Sequence, residues 1–390
     1  MTALSNLKVL DFSTLLPGPY ASLVLADLGA EVLKISSKTK PDIVADYPPF
    51  IEGTDISANQ AWLGRNKKNL FLNLKKPEAV EVVKKLIMEY DIILEQFRPG
   101  VMDRLGLGYE TLKTINPRLI YCSLTGYGQT GPLNKQAGHD INYLARSGNM
   151  AHAGRKSTGP VLTNMQIADV AVGSMNSVIG ILAAVNYRHL TGEGQFVDIS
   201  MYDGMIPFNG MDGTAFLASG KEPVREGQRL NGGCIYDFYE TKDHQYLSVG
   251  CLEPKFWAVF CQCIDREEYI EKTVWPEDID VVKEDIRQIL KSRTRGEWME
   301  IFRGKDVCVE PVLSMKEALL TDEHVKAREM VVDVELPSVE GKTVKQMGSP
   351  IKLSQSPVSY RHGGYPLGYH TEEILKSMGY TEEEIEDLTR

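Results

Sequence analysis

Short apolar runs alternate with amphipathic stretches through the first third of the chain, the pattern of a parallel βαβ sheet. Residues 7–12, Leu-Lys-Val-Leu-Asp-Phe, are expected to form a strand and residues 13–19 a loop. A helix over 20–29 follows, closed by glycine, and then a second strand over 31–35. Pro77 suits the first turn of a helix running to about residue 90, because its missing N–H has no partner to lose there. Residues 91–95 and 119–123 read as further strands. Beyond Asp169, the positions Val172, Met175, Val178, Ile179 and Leu182 recur at helical spacing, which places Asp169 at or near the start of a long helix.

The pattern changes near residue 200. Residues 201–226 are rich in Gly and Met without a clear period, as in a linker. Short strands over 235–239 and 246–249 and charged helices between 255 and 302 then describe a smaller α+β unit. Residues 303–316 read as a return connection, and 371–388 as an acidic helix. The expected division is a large domain over 1–200, a linker over 201–230, a small domain over 231–302, a return linker over 303–329 and a final segment, 330–390, completing the large domain. There is no internal repeat.

Composition narrows the class. At 390 residues, 43% hydrophobic and 25% charged, the chain is globular and too long for one ordinary core. No apolar run is expected to approach the roughly 20 residues that cross a bilayer, and the first residues lack a signal peptide's apolar core. The six cysteines form no CxxC pair and lie mostly in apolar surroundings, so they read as reduced residues of a cytoplasmic protein with no metal site. A formal charge of −10 argues against nucleic acid as a partner, and an anionic ligand would need a local basic patch.

Such patches occur. The loop Leu16-Pro17-Gly18-Pro19 lacks the GxGxxG of a dinucleotide site. Around the end of the second strand stand Lys34, Ser36, Ser37, Lys38 and Lys40, which suit a phosphate on a ribose and point to NADP or coenzyme A. Arg65-Asn66-Lys67-Lys68, with Lys75 and Lys76, forms a second basic cluster. Candidate chemistry lies further on, in Gly138-His139-Asp140-Ile141-Asn142-Tyr143 and at Asp169. A histidine titrating near neutral pH and a carboxylate tuned by burial can serve as proton acceptor and donor to one carbon. The ordinary job of an aspartate at a helix start is an N-cap. The helix dipole there would also stabilise a catalytic carboxylate.

Several motifs in order resemble the class III CoA-transferase family of the CaiB/BaiF type. They are Leu10-Asp11-Phe12 with Pro17-Gly18-Pro19, Leu25 to Val32, Phe97-Arg98-Pro99-Gly100 through Gly108, Asn116 to Tyr121, Gly126-Tyr127-Gly128 through Pro132, and Thr191 to Asp198. The six residues from Gly138 to Tyr143 resemble the α-methylacyl-CoA racemase branch, which carries its catalytic histidine there. The resemblance implies a Rossmann-type large domain built from both chain ends, a smaller α+β domain joined by long linkers, and an interlocked homodimer. It implies an acyl-CoA thioester as substrate, with coenzyme A part of that substrate and no permanently bound cofactor.

Two chemistries are implied. In racemases the residue matching Asp169 acts as a base opposite His139 and inverts the carbon α to the thioester. In transferases the same aspartate attacks the thioester and forms a mixed anhydride. The segment Gly250 to Phe256 resembles the racemase stretch whose glutamate, here Glu253, hydrogen-bonds the active-site carboxylate. By the same resemblance Asp140 and Tyr143 line the CoA pocket, and Lys75 and Arg104 contact phosphate. A backbone N–H at the Asp169 helix start is the expected donor to the enolate oxygen. One departure stands out: Val170-Ala171-Val172 replaces a glycine-rich run, and its valines are expected to narrow the space over the α-carbon. Met150, Met165, Met175, Met201 and Met205 offer a pliable apolar surface, and the acyl group is left open.

Overall fold

The computed structural model describes residues 2–390, which divide into two compact units. The first comprises residues 2–144, 165–206 and 323–390. Its centre is a six-stranded, wholly parallel sheet in the order β3-β2-β1-β4-β5-β6. The strands are β1 (Lys8–Asp11), β2 (Glu31–Ser36), β3 (Lys67–Phe71), β4 (Ile92–Glu95), β5 (Ile120–Thr125) and β6 (Phe196–Ser200). β4 and β5 are buried at every residue, as parallel strands covered on both faces must be. The strand order reverses between β1 and β4, and in open α/β sheets that reversal opens a crevice beyond the carboxyl ends of the strands.

Two elements differ from the sequence reading near this crevice. The first helix is Pro17–Asp27, so the proline-rich stretch expected as loop supplies the opening helical turn, where proline costs no hydrogen bond. β3 was expected as part of a basic ligand patch. It is instead an edge strand whose Leu70 joins a core with Leu10, Leu33, Val82, Ile93 and Leu388. The terminal segment reaches this core through two helices, Thr371–Ser377 and Glu382–Thr389, rather than one. Gly379 at φ +90° breaks them, and a capping box between Thr381 and Glu384 starts the second.

Helical turns continue without interruption from Ile167 to Thr191, 25 residues with a mean hydropathy of 1.6 over the most apolar window. By length and composition this run suffices to cross a membrane, contrary to expectation. In the fold it is a sheet-covering helix: Val178, Ile181, Ala184 and Val185 are buried, and the buried Arg188 pairs with Asp91 at 2.8 Å.

The second unit comprises residues 145–164 and 207–322. A three-stranded antiparallel sheet, β7 (Asp237–Glu240), β8 (Tyr246–Val249) and β9 (Val309–Pro311), shares a core of Trp257, Phe260, Ile286, Trp298 and Phe302 with the helices Pro254–Cys263, Ile279–Leu290 and Arg295–Phe302. Three expectations need correction. Residues 145–164, assigned to the large domain, belong here because Arg155 forks onto Asp237, which also pairs with the buried Lys283 at 2.8 Å. The return connection is not merely a linker, since it contributes β9 to the sheet. Likewise the stretch read as a forward linker contains the helix Gly210–Ser219.

Candidate active site

β5 ends at Thr125, and the chain turns sharply through Gly126-Tyr127-Gly128, with the Gly128 N–H donating to Thr125 Oγ1 at 2.9 Å. The turn makes room for Tyr143, whose hydroxyl donates to the Gly138 carbonyl at 2.8 Å. A Cβ at Gly126 or Gly138 would stand 2.5 Å and 2.7 Å from Tyr143, so this ring requires both glycines. Tyr143 is buried and packs edge-on against Tyr127 at 5.2 Å. It anchors the helix Asp140–Arg146, and His139 immediately precedes that helix with an exposed ring. The His139 N–H donates to Asn142 Oδ1 at 3.0 Å while the Asn142 N–H donates to the His139 carbonyl at 2.8 Å, which fixes the backbone under the imidazole.

Asp169 sits in the first turn of a π-helical segment, Ile167–Ser174, that runs into the α-helix Met175–Thr191. Such widened turns recur at functional sites. The N-cap reading fails here. It is Asp140 that caps this helix, taking the Asp169 N–H at 2.9 Å and also the N–H groups of Ala168 and Ile167. The Asp169 carboxylate makes no hydrogen bond among the described residues. Burial, and then the charge of Asp140, push it up to about 6, with His139 pulling the other way. The expectation that the helix start would hold this carboxylate ionised is thus outweighed by desolvation.

Asp169, His139, Asp140 and Tyr143 therefore converge. Asp169, His139 and Tyr143 line one pocket of about 390 Å³, a size suited to a small organic ligand. The same pocket is walled by Leu15, Gln96, Arg98 and Met201. Val170 and Val172 are absent from its lining, and Val172 is turned into the core against Gly204, so the valines do not narrow it. At the helix start the Asp169 N–H is taken by Asp140.

The basic residues are placed otherwise than expected. Lys34 is buried rather than exposed: strand register sets it opposite Asp11, with Nζ 3.9 Å from Asp11 Oδ1 and no hydrogen-bond partner. Arg65 and Lys67 are buried too. Arg65 forks onto Asp27, with 2.6 Å between Nη2 and Oδ2, and lies over the Tyr360 ring, while Lys67 donates to Ser22 Oγ and the Pro19 carbonyl. Most of the second basic cluster is therefore structural cement. Lys75, in the loop after β3, and Arg104, ending the helix Val101–Arg104, are exposed. Glu253 lies in the second unit, exposed at the start of the helix Pro254–Cys263 and without a side-chain capping bond.

A family model described as CoA-transferase family III matches residues 4–371. The chain belongs to this family. It is 34% identical over 389 residues to human alpha-methylacyl-CoA racemase, covering 99% of this chain and 96% of the relative. It is 32% identical over 382 residues to human succinyl-CoA:glutarate CoA-transferase, covering 96% of this chain and 86% of the relative. Among solved structures, a CaiB/BaiF family protein from Brucella suis superposes with a TM-score of 0.82 at 27% identity, covering 97% of this chain and 99% of that one. The chain is accordingly an enzyme of the family that contains both racemases and CoA-transferases.

Within this CoA-transferase family III chain, sequence reasoning missed the wall formed by residues 96–99. Gln96 Oε1 accepts the Gly18 N–H at 2.9 Å, joining the loop after β4 to the first turn of the helix Pro17–Asp27 across the sheet's reversal point. Arg98 is the exposed cation lining the pocket. Its signal was present in Phe97-Arg98-Pro99-Gly100, a stretch that carried the family resemblance, but nothing in one dimension marks it as lining.

Proposed function

We propose that this enzyme epimerises 2-methylacyl-CoA thioesters by removing and returning the proton on the carbon α to the thioester. The observation that carries the reading is the presence of His139 and a desolvated Asp169 carboxyl in one pocket, with no hydrogen bond tying the carboxylate to another group. One group takes the α-proton as the planar enolate forms, and the other delivers a proton to the opposite face. The bond electrons left on carbon delocalise onto the thioester oxygen and return to carbon at the second transfer. A base poised near 6 is neither too weak to accept a proton nor permanently protonated at neutral pH. The human racemase, at 34% identity over nearly the whole chain, supports the same reading.

Coenzyme A enters as part of the substrate. Arg98 at the pocket and the exposed Lys75 and Arg104 are assigned to its phosphates, and Tyr143 to packing beside it. Asp140 holds the helix bearing Asp169. A homodimer belongs to this reading. In the first unit Ile179, Tyr187 and Leu190 are exposed on one long helix, and in the second Met211 and Leu217 are exposed on another, apolar faces of the kind that a partner chain covers. The six cysteines are all free thiols, which fits action in the cytoplasm.

The relative that transfers CoA from succinyl-CoA to glutarate favours a second reading, in which Asp169 attacks the thioester carbonyl. A single-epimer 2-methylacyl-CoA incubated in D₂O without acceptor acid separates the two. Deuterium entry with loss of stereochemical purity supports the racemase. Untouched substrate that gives up its CoA to an added carboxylic acid overturns it.

A further inference from the structure

Glu95, the last residue of β4, is 4% exposed and lies behind the wall of the proposed thioester pocket. Its Oε2 accepts the Phe97 N–H at 2.7 Å, closing the turn that carries Gln96, Phe97, Arg98 and Pro99 along that pocket. Its Oε1 accepts the Ser123 hydroxyl of β5, and Ser123 Oγ in turn accepts Gln129 Nε2 at 2.6 Å. Both donors are neutral. Burial pushes Glu95 up to about 7, and the charged groups that act on it, Asp103 from the following helix and Asp198 from β6, are carboxylates that add to the effect. Tyr121 of β5 and the exposed Arg98 line the same cavity of about 320 Å³ behind the turn, and no ion pair to Glu95 forms among the described residues.

We propose that Glu95 is a positioning residue: its ionised carboxylate clamps the 96–99 turn, and protonation loosens that turn and weakens binding of the CoA moiety. A charge-assisted hydrogen bond is roughly twice as strong as a neutral one, so the Phe97 N–H is held firmly only by the anion. The turn in turn holds Gln96 against Gly18 and sets Arg98 at the pocket. This inference rests on the pocket binding CoA, and not on which reaction follows.

The test uses the full chain and CoA itself. Hydrogen exchange of the Phe97 amide, corrected for its intrinsic rate, and the Kd for CoA are measured from pH 5.5 to 8.5 in wild type and in Glu95→Gln. In wild type both Phe97 protection and CoA affinity should fall several-fold as pH drops through about 7. Glu95→Gln should be flat in both, resembling wild type at low pH, with KM raised and kcat nearly kept. Ser123→Ala, which removes a donor to the charged form, should move the wild-type midpoint to higher pH. A Glu95→Gln enzyme that keeps the wild-type pH dependence, or a Ser123→Ala midpoint that does not move, would overturn the proposal. Neither readout needs turnover, so an absence of α-proton exchange in D₂O would sink the racemase reading separately.

Discussion

Asp11 and Glu95 close neighbouring strands of one sheet, and both side chains are buried, yet their surroundings differ in kind. Asp11 faces Lys34 and Lys67, with Nζ distances of 3.9 Å and 3.7 Å, and accepts bonds from Ser13 and Ser22. Burial alone would raise it, but the two lysines and two hydroxyls hold it below the ordinary carboxylate range. Glu95 has no partner cation to offset its burial, which, with two further carboxylates nearby, pushes it up to about 7. Asp169, across the pocket wall from Glu95's turn, follows Glu95 rather than Asp11, at about 6. Where charge is cancelled the sheet is cemented; where it is left uncancelled, next to the pocket, the carboxyls change protonation near neutral pH. Perturbed titration of that kind marks functional sites.

The largest effect belongs to Asp169→Asn, which should cut turnover about 10³-fold while CoA affinity stays within a few-fold, read by stopped assays and calorimetry. On the cancelled side, Asp11→Asn strands two buried lysines and should cost about 3 kcal/mol in denaturant unfolding with little change in kcat of the enzyme that remains folded. If Asp11→Asn unfolds no more easily than wild type, the two regions do not differ as described.

Glu95→Gln should act in the opposite direction. Its folded pKa lies above the usual 4.5, so between about 4.5 and 7 the native chain holds a proton that the unfolded chain has lost. Stability from this group is present below that window and is lost as pH rises through it. Glu95→Gln is therefore expected to be more stable than wild type by about 3 kcal/mol at pH 8 and no more stable at pH 4. The clamp thus trades stability for a firm pocket wall. The smallest effect is expected at Lys75→Ala, an exposed cation whose loss should raise KM for the thioester by a few-fold, more at low ionic strength than at high.

The parallel sheet was legible in the sequence because buried strands such as Ile92-Ile93-Leu94 read as unbroken apolar runs. The pairing of His139 and Asp169 was legible only through family resemblance, since nothing in their spacing shows that Asp140 joins their two helices. The basic patches misled for a physical reason. Lys34 and Lys67 look like surface charges in one dimension, but strand register sets Lys34 opposite Asp11 and Lys67 reaches the same carboxylate at 3.7 Å. Glu95 escaped notice because burial and a missing cation are properties of its neighbours and leave no mark at its own position. The placement of residues 145–164 in the second unit was hidden likewise, resting on long-range contacts such as Arg155 to Asp237 and Glu226 and Arg225 to the Ala153 carbonyl.

The most direct test of the account runs each epimer of a 2-methylacyl-CoA separately in D₂O with His139→Ala. With one base on each face, removal of His139 should abolish α-deuteration of one epimer and leave slow exchange, without inversion, of the epimer whose proton faces Asp169. Equal exchange of both epimers at the wild-type rate, or a covalent CoA-derived adduct on Asp169 with His139→Ala retaining full transfer to a carboxylic acid, would contradict it.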